Sequence, residues 1–302
     1  MQASLERLML GVIDYAGLFP PAKLSMHEAV ESYCDYRSGP ESWLISRFIC
    51  PASRLMELEQ ELARVETECV PLSVVGTSGR DIGEFEAGLE KDVAEMNRFE
   101  DAAGPKCEIE AFEVRAPSTS DLEAVVRDLE GFGDIDVFVE LPWDDGLHDG
   151  LVALAESEWL GAKARTGGAD AAAFPSAEAL SRFIRDCLNL DLPFKLTAGL
   201  HHPLRHVNRQ IGVEEHGFLN VLCATAMAES HELNSAEIEA ILLETAPNAF
   251  VFGESGFGWN DFGASIEDIE SIRSLFVSIG SCSVDEPLDG LEDLGLLGVN
   301  TS

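Results

Sequence analysis

Phe194-Lys195-Leu196-Thr197-Ala198-Gly199-Leu200 holds two messages in one short run. Successive side chains of a strand point to opposite faces. Phe194, Leu196, Ala198 and Leu200 share one parity and suit an interface with helices; Lys195, Thr197, Gly199 and His201 share the other. A lysine cannot lie beneath a helix without a large desolvation cost, so its face must be one that tolerates charge. The lumen of a parallel β-barrel is such a face. The preceding apolar run, Leu160-Gly-Ala-Lys163-Ala-Arg165, repeats the pattern, with Lys163 and Arg165 on one parity.

Outward from these two runs, the chain repeats one unit: a short apolar stretch, a loop of Gly, Pro, Ser, Thr and Asp, then a helical pattern. The apolar stretches are residues 11–16, 43–50, 70–76, 108–115, 136–141, 160–165, 194–200 and 250–253. Helical periodicity follows at 25–36, 55–65, 82–99, 120–129, 150–155, 176–188 and 266–277, with two candidates, 217–228 and 235–243, after the seventh stretch. Ser120 with Glu123, and Asn234 before Ser235, are written as helix starts. Strands alternating with helices imply a parallel sheet with right-handed crossovers. Eight units over 302 residues predict an α/β fold, a single (β/α)8 TIM barrel over residues 1–280, with 281–302 an acidic tail or short packing helix. The first turn, Asp14-Tyr-Ala-Gly-Leu-Phe-Pro-Pro21, lacks the glycine fingerprint of a dinucleotide-binding open sheet.

Charge narrows the function. With 55 acidic against 20 basic residues, net −35, the chain repels nucleic acid and anionic membranes. Its seven cysteines are scattered, with no CxxC pair, and read as reduced thiols. No basic n-region precedes the apolar residues 8–13, so a cytoplasmic location is expected, with no membrane partner. Active sites of this fold lie at the carboxyl ends of the strands. Arg47, Arg115, Lys163, Arg165 and Lys195 fall on or near strand ends, with Asp14, Glu113, Glu140 and Glu254. So many costly charges on adjacent strands predict an enzyme site for an anionic substrate, with pairs such as Glu140–Lys163 or Glu113–Arg115 expected within it.

Lys163 and Lys195 hold equivalent places on strands six and seven. A neighbouring cation and a partly dry site lower a lysine pKa, and a neutral lysine attacks carbonyls to form a Schiff base. Three motifs then stand in order: Lys163-Ala-Arg165-Thr166-Gly167, Lys195-Leu-Thr197-Ala-Gly199 and Phe252-Gly253-Glu254-Ser255. Over residues 137–256 they resemble the class I deoxyribose-phosphate aldolases, a family of TIM barrels. The resemblance implies a Schiff base on Lys163, a second lysine at Lys195, and backbone at Gly253 that helps to bind phosphate; by position, Lys195 would be the electrostatic activator and backbone after Gly199 a further anion contact. The chain departs from the family pattern after Gly199, where it reads Leu200-His201-His202-Pro203, and at Glu254.

The resulting expectation is an aldolase-like lyase or isomerase acting on a small phosphorylated or carboxylated carbonyl compound, with no cofactor and no metal. Glu140, His201 or Glu113 would move protons. Asp14, Arg47, Arg115, Arg165, Thr166, Gly167, Thr197, Gly199, His202, Gly253, Glu254 and Ser255 would bind substrate. Two other classes stay open: a metal-assisted hydrolase or isomerase using His201, His202, Glu140 and Glu254, and a non-catalytic ligand-binding barrel with its lysines in permanent ion pairs. A homo-oligomer is compatible with either.

Overall fold

The computed structural model describes residues 1–209 and 211–297. Its strands are β1 (Ile13–Tyr15), β2 (Ile45–Pro51), β3 (Val70–Val75), β4 (Cys107–Arg115), β5 (Asp136–Glu140), β6 (Leu160–Arg165) and β7 (Phe194–Thr197). There follow β8 (His206–Asn208), β9 (Val213–Glu215), β10 (Phe250–Phe252), β11 (Gly256–Trp259), β12 (Phe262–Ser265) and β13 (Phe276–Ser281). Eight of them form a closed barrel in the order β1-β13-β7-β6-β5-β4-β3-β2. The (β/α)8 expectation therefore holds.

The eighth strand is not where the sequence placed it. β13 closes the barrel, whereas β10 belongs to a three-stranded antiparallel sheet, β10-β11-β12. The last helical pattern ran too far: the helix is Ile266–Leu275, and Phe276 begins β13 with no Gly or Pro between. Helix and strand abut without a turn residue, so periodicity alone could not part them. The Phe-Val-Phe of β10 satisfies its strand preference in a hairpin instead, closed by Gly253 N–H donating to Gly256 O at 2.9 Å.

By internal contacts the chain divides into two compact units, Ile13–Ala164 and Met1–Val12 with the chain from Arg165 onward. In the first, the helices α2 (Met26–Ser38), α3 (Leu55–Leu62), α4 (Ile82–Ala103), α5 (Leu122–Asp128) and α6 (Leu147–Ala155) connect β1 to β6; α1 (Ala3–Met9) belongs to the second. α2 starts at the Ser25–Glu28 capping box, which satisfies two amide donors at once. The Ser120–Glu123 box does not form. Asp121 holds the N-cap of α5 without a side-chain cap bond, because its carboxylate accepts from Ser118 Oγ at 2.7 Å. On the helix side of β1 and β2, the rings of Tyr15, Tyr33, Tyr36 and Phe48 form a cluster with centroids 5.4–6.1 Å apart.

One irregularity of β4 sets the charges of this unit. Leu72 pairs with Ile109 and Ser73 with Ala111, so Glu110 is an extra residue in β4. Such a bulge interrupts alternation and re-aims side chains. As a result Glu110 and Glu113, three apart, both meet cations: Glu110 pairs with Arg47 and Glu113 with Lys163.

The second unit adds α7 (Ala177–Asn189), α8 (Phe218–His231), α9 (Ser235–Leu242), α10 (Ile266–Leu275) and α11 (Asp285–Asp293). Every residue of α8 from Phe218 to Ala228 is buried, as a helix without a polar face must be. Its Asn220 ties it to the end of α9, donating to Ile241 O and Glu244 O at 2.9 Å each. Phe194 stacks on Phe276 of β13 at 4.8 Å and meets Phe183 of α7 edge-on at 5.5 Å. That fixes the helix side of β7, and Lys195 and Thr197 point the other way, as their parity predicted. α11 follows β13; residues 298–302 of the expected tail lie outside the described residues. No helix among the described residues is long and apolar enough to cross a membrane.

Candidate active site

In Ile13–Ala164, β4, β5 and β6 run parallel with Arg115 opposite Glu140 and Glu140 opposite Lys163. Paired residues of a parallel ladder share a face, so these three point into the barrel together with Glu113. Lys163 Nζ lies 2.8 Å from Glu113 Oε2 and 3.2 Å from Glu140 Oε2. Ser73 Oγ of β3 donates to the other oxygen of Glu113 at 2.6 Å. All four groups are buried: Ser73 0%, Glu113 1%, Glu140 4% and Lys163 6% exposed. Arg115 Nε stands 3.8 Å from Glu140 Oε1, but its side chain is 57% exposed.

An ammonium between two carboxylates is strongly held. Removing Lys163 would leave two buried carboxylates unmatched, which is costly in a low-dielectric interior. Chemically the arrangement joins a nucleophile precursor to two proton acceptors within hydrogen-bond reach, at the strand ends where this fold places its chemistry. Of the expected site, the structure thus brings together Lys163, Glu113, Glu140 and Arg115. Ser73 was missed, although it was the single polar residue in the apolar run Val70-Pro-Leu-Ser-Val-Val75.

Two expected members lie elsewhere. Arg47 is near the start of β2, and it pairs with Glu110 at 2.9 Å and with Asp136, the first residue of β5, at 3.0 Å. Asp14 is fully buried in β1 and accepts from the Arg47 amide at 3.2 Å. Asp136 and Glu140 bound β5, so at about 3.3 Å per residue this network sits roughly 13 Å below the lysine cluster. It holds the amino ends of the strands together. Neither residue is a substrate contact at the carboxyl ends. Strand and parity fix the side of a charge but not its height along the strand.

In the second unit, Thr166 is fully buried and spends its hydroxyl on Ala198 O at 2.5 Å, while its amide donates to Thr197 O at 2.9 Å. A Cβ on Gly167 would lie 2.7 Å from Gly199 Cα, and one on Gly199 would lie 2.7 Å from Thr166 O. Gly199 also has φ +76°, which favours glycine. Thr166-Gly167 and Ala198-Gly199 are therefore a mutual lock between the ends of β6 and β7. Thr166 and the two glycines act on the backbone here. Lys195 of β7 is fully buried, with Ser278 of β13 opposite it in register. Arg165, the last residue of β6, is exposed.

His201 Nδ1 comes within 3.0 Å of Glu286 Oε2 of α11, without the alignment of a hydrogen bond. His202 is exposed, its ring 4.2 Å edge-on from that of His206. His206 Nε2 is 3.4 Å from Glu215 Oε2, and burial followed by the charge of His202 lowers its pKa. Among the described residues no three His, Cys, Asp or Glu side chains are placed to share a metal ion. Gly253, Glu254 and Ser255 form the turn of the β10–β11 hairpin, with Glu254 and Ser255 exposed. Ser4 of α1 donates its amide to Gly253 O at 3.1 Å. They are not at the end of a barrel strand, and the third aldolase-like motif loses its expected place.

No family model matches the chain, and no curated protein is detectably similar in sequence. The site must be read from its own chemistry.

Proposed function

We propose that this chain is a lyase or isomerase acting on a small anionic carbonyl compound through a Schiff base on Lys163. The observation that carries this reading is the buried Lys163 ammonium held 2.8 and 3.2 Å from two carboxylates. A glutamate takes one ammonium proton, and the freed amine adds to the carbonyl carbon. The resulting carbinolamine hydroxyl leaves as water, taking that proton back, and a protonated imine remains. Positive charge is present at the start and at the end, so the carboxylates that hold the ammonium also hold the iminium. Such activation by an adjacent base is what a buried lysine nucleophile requires.

Glu113 has both oxygens engaged, by Ser73 and Lys163, and serves as the fixed counter-ion. Glu140 ends β5 beside the exposed Arg115, and is the proton carrier. Arg115, exposed at the end of its strand, supplies the anion contact. The test is borohydride trapping with glyceraldehyde 3-phosphate, pyruvate and glyoxylate, followed by peptide mass mapping. One adduct on Lys163, absent from Lys163→Met, is expected. Adducts confined to surface lysines would overturn the mechanism.

The same ion pairs favour one other reading, a barrel that binds an anion without covalent chemistry. Ligand-induced thermal stabilisation that survives Lys163→Met, with no trapped adduct, would select it.

A further inference from the structure

β10 is an edge strand of its sheet, and its central Val251 is 66% exposed, more than any other large hydrophobic side chain among those described. Natural sheets blunt such edges with charge, proline or a covering element. Phe250-Val251-Phe252 has neither charge nor proline. It borders a groove of about 470 Å³, formed with the start of α1 and with residues 247–248 and 294–296, whose lining among the described residues includes no charged side chain. In a chain of net charge −35, two such patches can face each other without bringing like-charged lining side chains together.

The hairpin geometry says how the edge is presented. Gly253 and Gly256 are joined by the closing hydrogen bond, and the register runs Phe252↔Phe257, Val251↔Gly258 and Phe250↔Trp259. Hydrogen-bonded pairs alternate along an antiparallel ladder. Val251 therefore turns its N–H and C=O toward β11, and Phe250 and Phe252 turn theirs toward the open edge. The sequence Phe-Val-Phe reads the same in both directions. Set antiparallel against its own copy, Phe250 meets the partner's Phe252 as a hydrogen-bonded pair, twice. Val251 meets the partner's Val251 as a non-hydrogen-bonded pair on a twofold axis. A twofold contact needs just such self-complementarity.

We infer that this edge and groove are an interface between two copies of this chain, paired through β10 into a six-stranded sheet. A three-residue strand alone falls short of the roughly 800 Å² per partner of a stable interface. Met1, 47% exposed on the groove wall, and Leu296 must be covered as well, and association in the micromolar range is expected.

The experiment is sedimentation velocity on the full chain from low to high micromolar concentration, with Val251→Lys beside it. A dimer that forms with rising concentration, and at least a tenfold weaker one in Val251→Lys, is expected. Val251→Cys should give a disulfide-linked dimer under mild oxidation with oxidised glutathione, since a non-hydrogen-bonded pair brings the two Cα atoms to about 4.5 Å. A monomer throughout, a dimer indifferent to Val251→Lys, or a Val251→Cys variant that does not cross-link would each overturn the inference.

Discussion

Replacing Lys163 by methionine, of similar length and shape, leaves Glu113 and Glu140 facing each other while 1% and 4% exposed. Breaking a buried ion pair by removing one partner costs about 3–5 kcal/mol. At about 2 °C per kcal/mol for a chain of this size, the melting temperature at pH ~8 should fall by roughly 6–10 °C. The loss should depend on pH in a definite sense. Two crowded carboxylates take up a proton at a pH where the unfolded chain would not. The folded variant then binds more protons than the unfolded one, and its stability falls as pH rises. The deficit against wild type should therefore shrink between pH ~8 and about pH 5.5, as a proton taken up by the pair lets one carboxyl donate to the other. Thermal melts followed by circular dichroism at both pH values are sufficient. No deficit, or one of equal size at both pH values, would mean that the lysine is held by packing and not by charge.

Arg47→Met should destabilise by about 1–3 kcal/mol, discounted because Glu110 and Asp136 are partly solvated, yet leave the yield of trapped adduct per folded molecule unchanged. A lost adduct would return Arg47 to the active site. Gly199→Ala should cost at least about 2 kcal/mol, from its positive φ and a 2.7 Å contact with Thr166 O, measured by chemical denaturation. Asp92, 3% exposed, accepts from Thr77 N–H and Oγ, but burial outweighs these bonds and raises its pKa. A raised carboxyl makes its contribution at low pH and loses it as pH rises through the shifted value. Asp92→Asn should accordingly flatten the fall in stability above the ordinary carboxylate range. His206 and His216 are both lowered, chiefly by burial, so acidification below about pH 6.5 should loosen the β8–β9 hairpin first, visible as faster amide exchange there.

Much of this was legible in the sequence because two periods differ. Lys163 and Glu140 stand on clean alternations, Leu160–Arg165 and Asp136–Glu140, and their faces followed from parity alone. The mutual lock of Thr166-Gly167 with Ala198-Gly199 was visible as motif but not as cause. Two glycines 32 residues apart reveal a close approach only once the strands are adjacent. β13 was hidden by the helix that runs straight into it. Arg47 and Asp14 lie at the other end because a short strand gives side but not height, and the partners that fix the height of Arg47, Glu110 and Asp136, are remote in sequence.

The extra residue at Glu110 has a consequence for how this barrel can change. Regular alternation would make β4 a single rigid ruler, on which moving one carboxylate moves all of them. The bulge acts as a clutch between the two ends. The carboxyl-terminal half of the strand keeps Glu113 and Arg115 in step with β5, while the amino-terminal half is paired with β3 and offers Glu110 to Arg47. Deleting Glu110 would engage the clutch and turn one half over relative to the other. With it in place, Glu110 at the floor and Glu113 in the lysine cluster need not share one alternation.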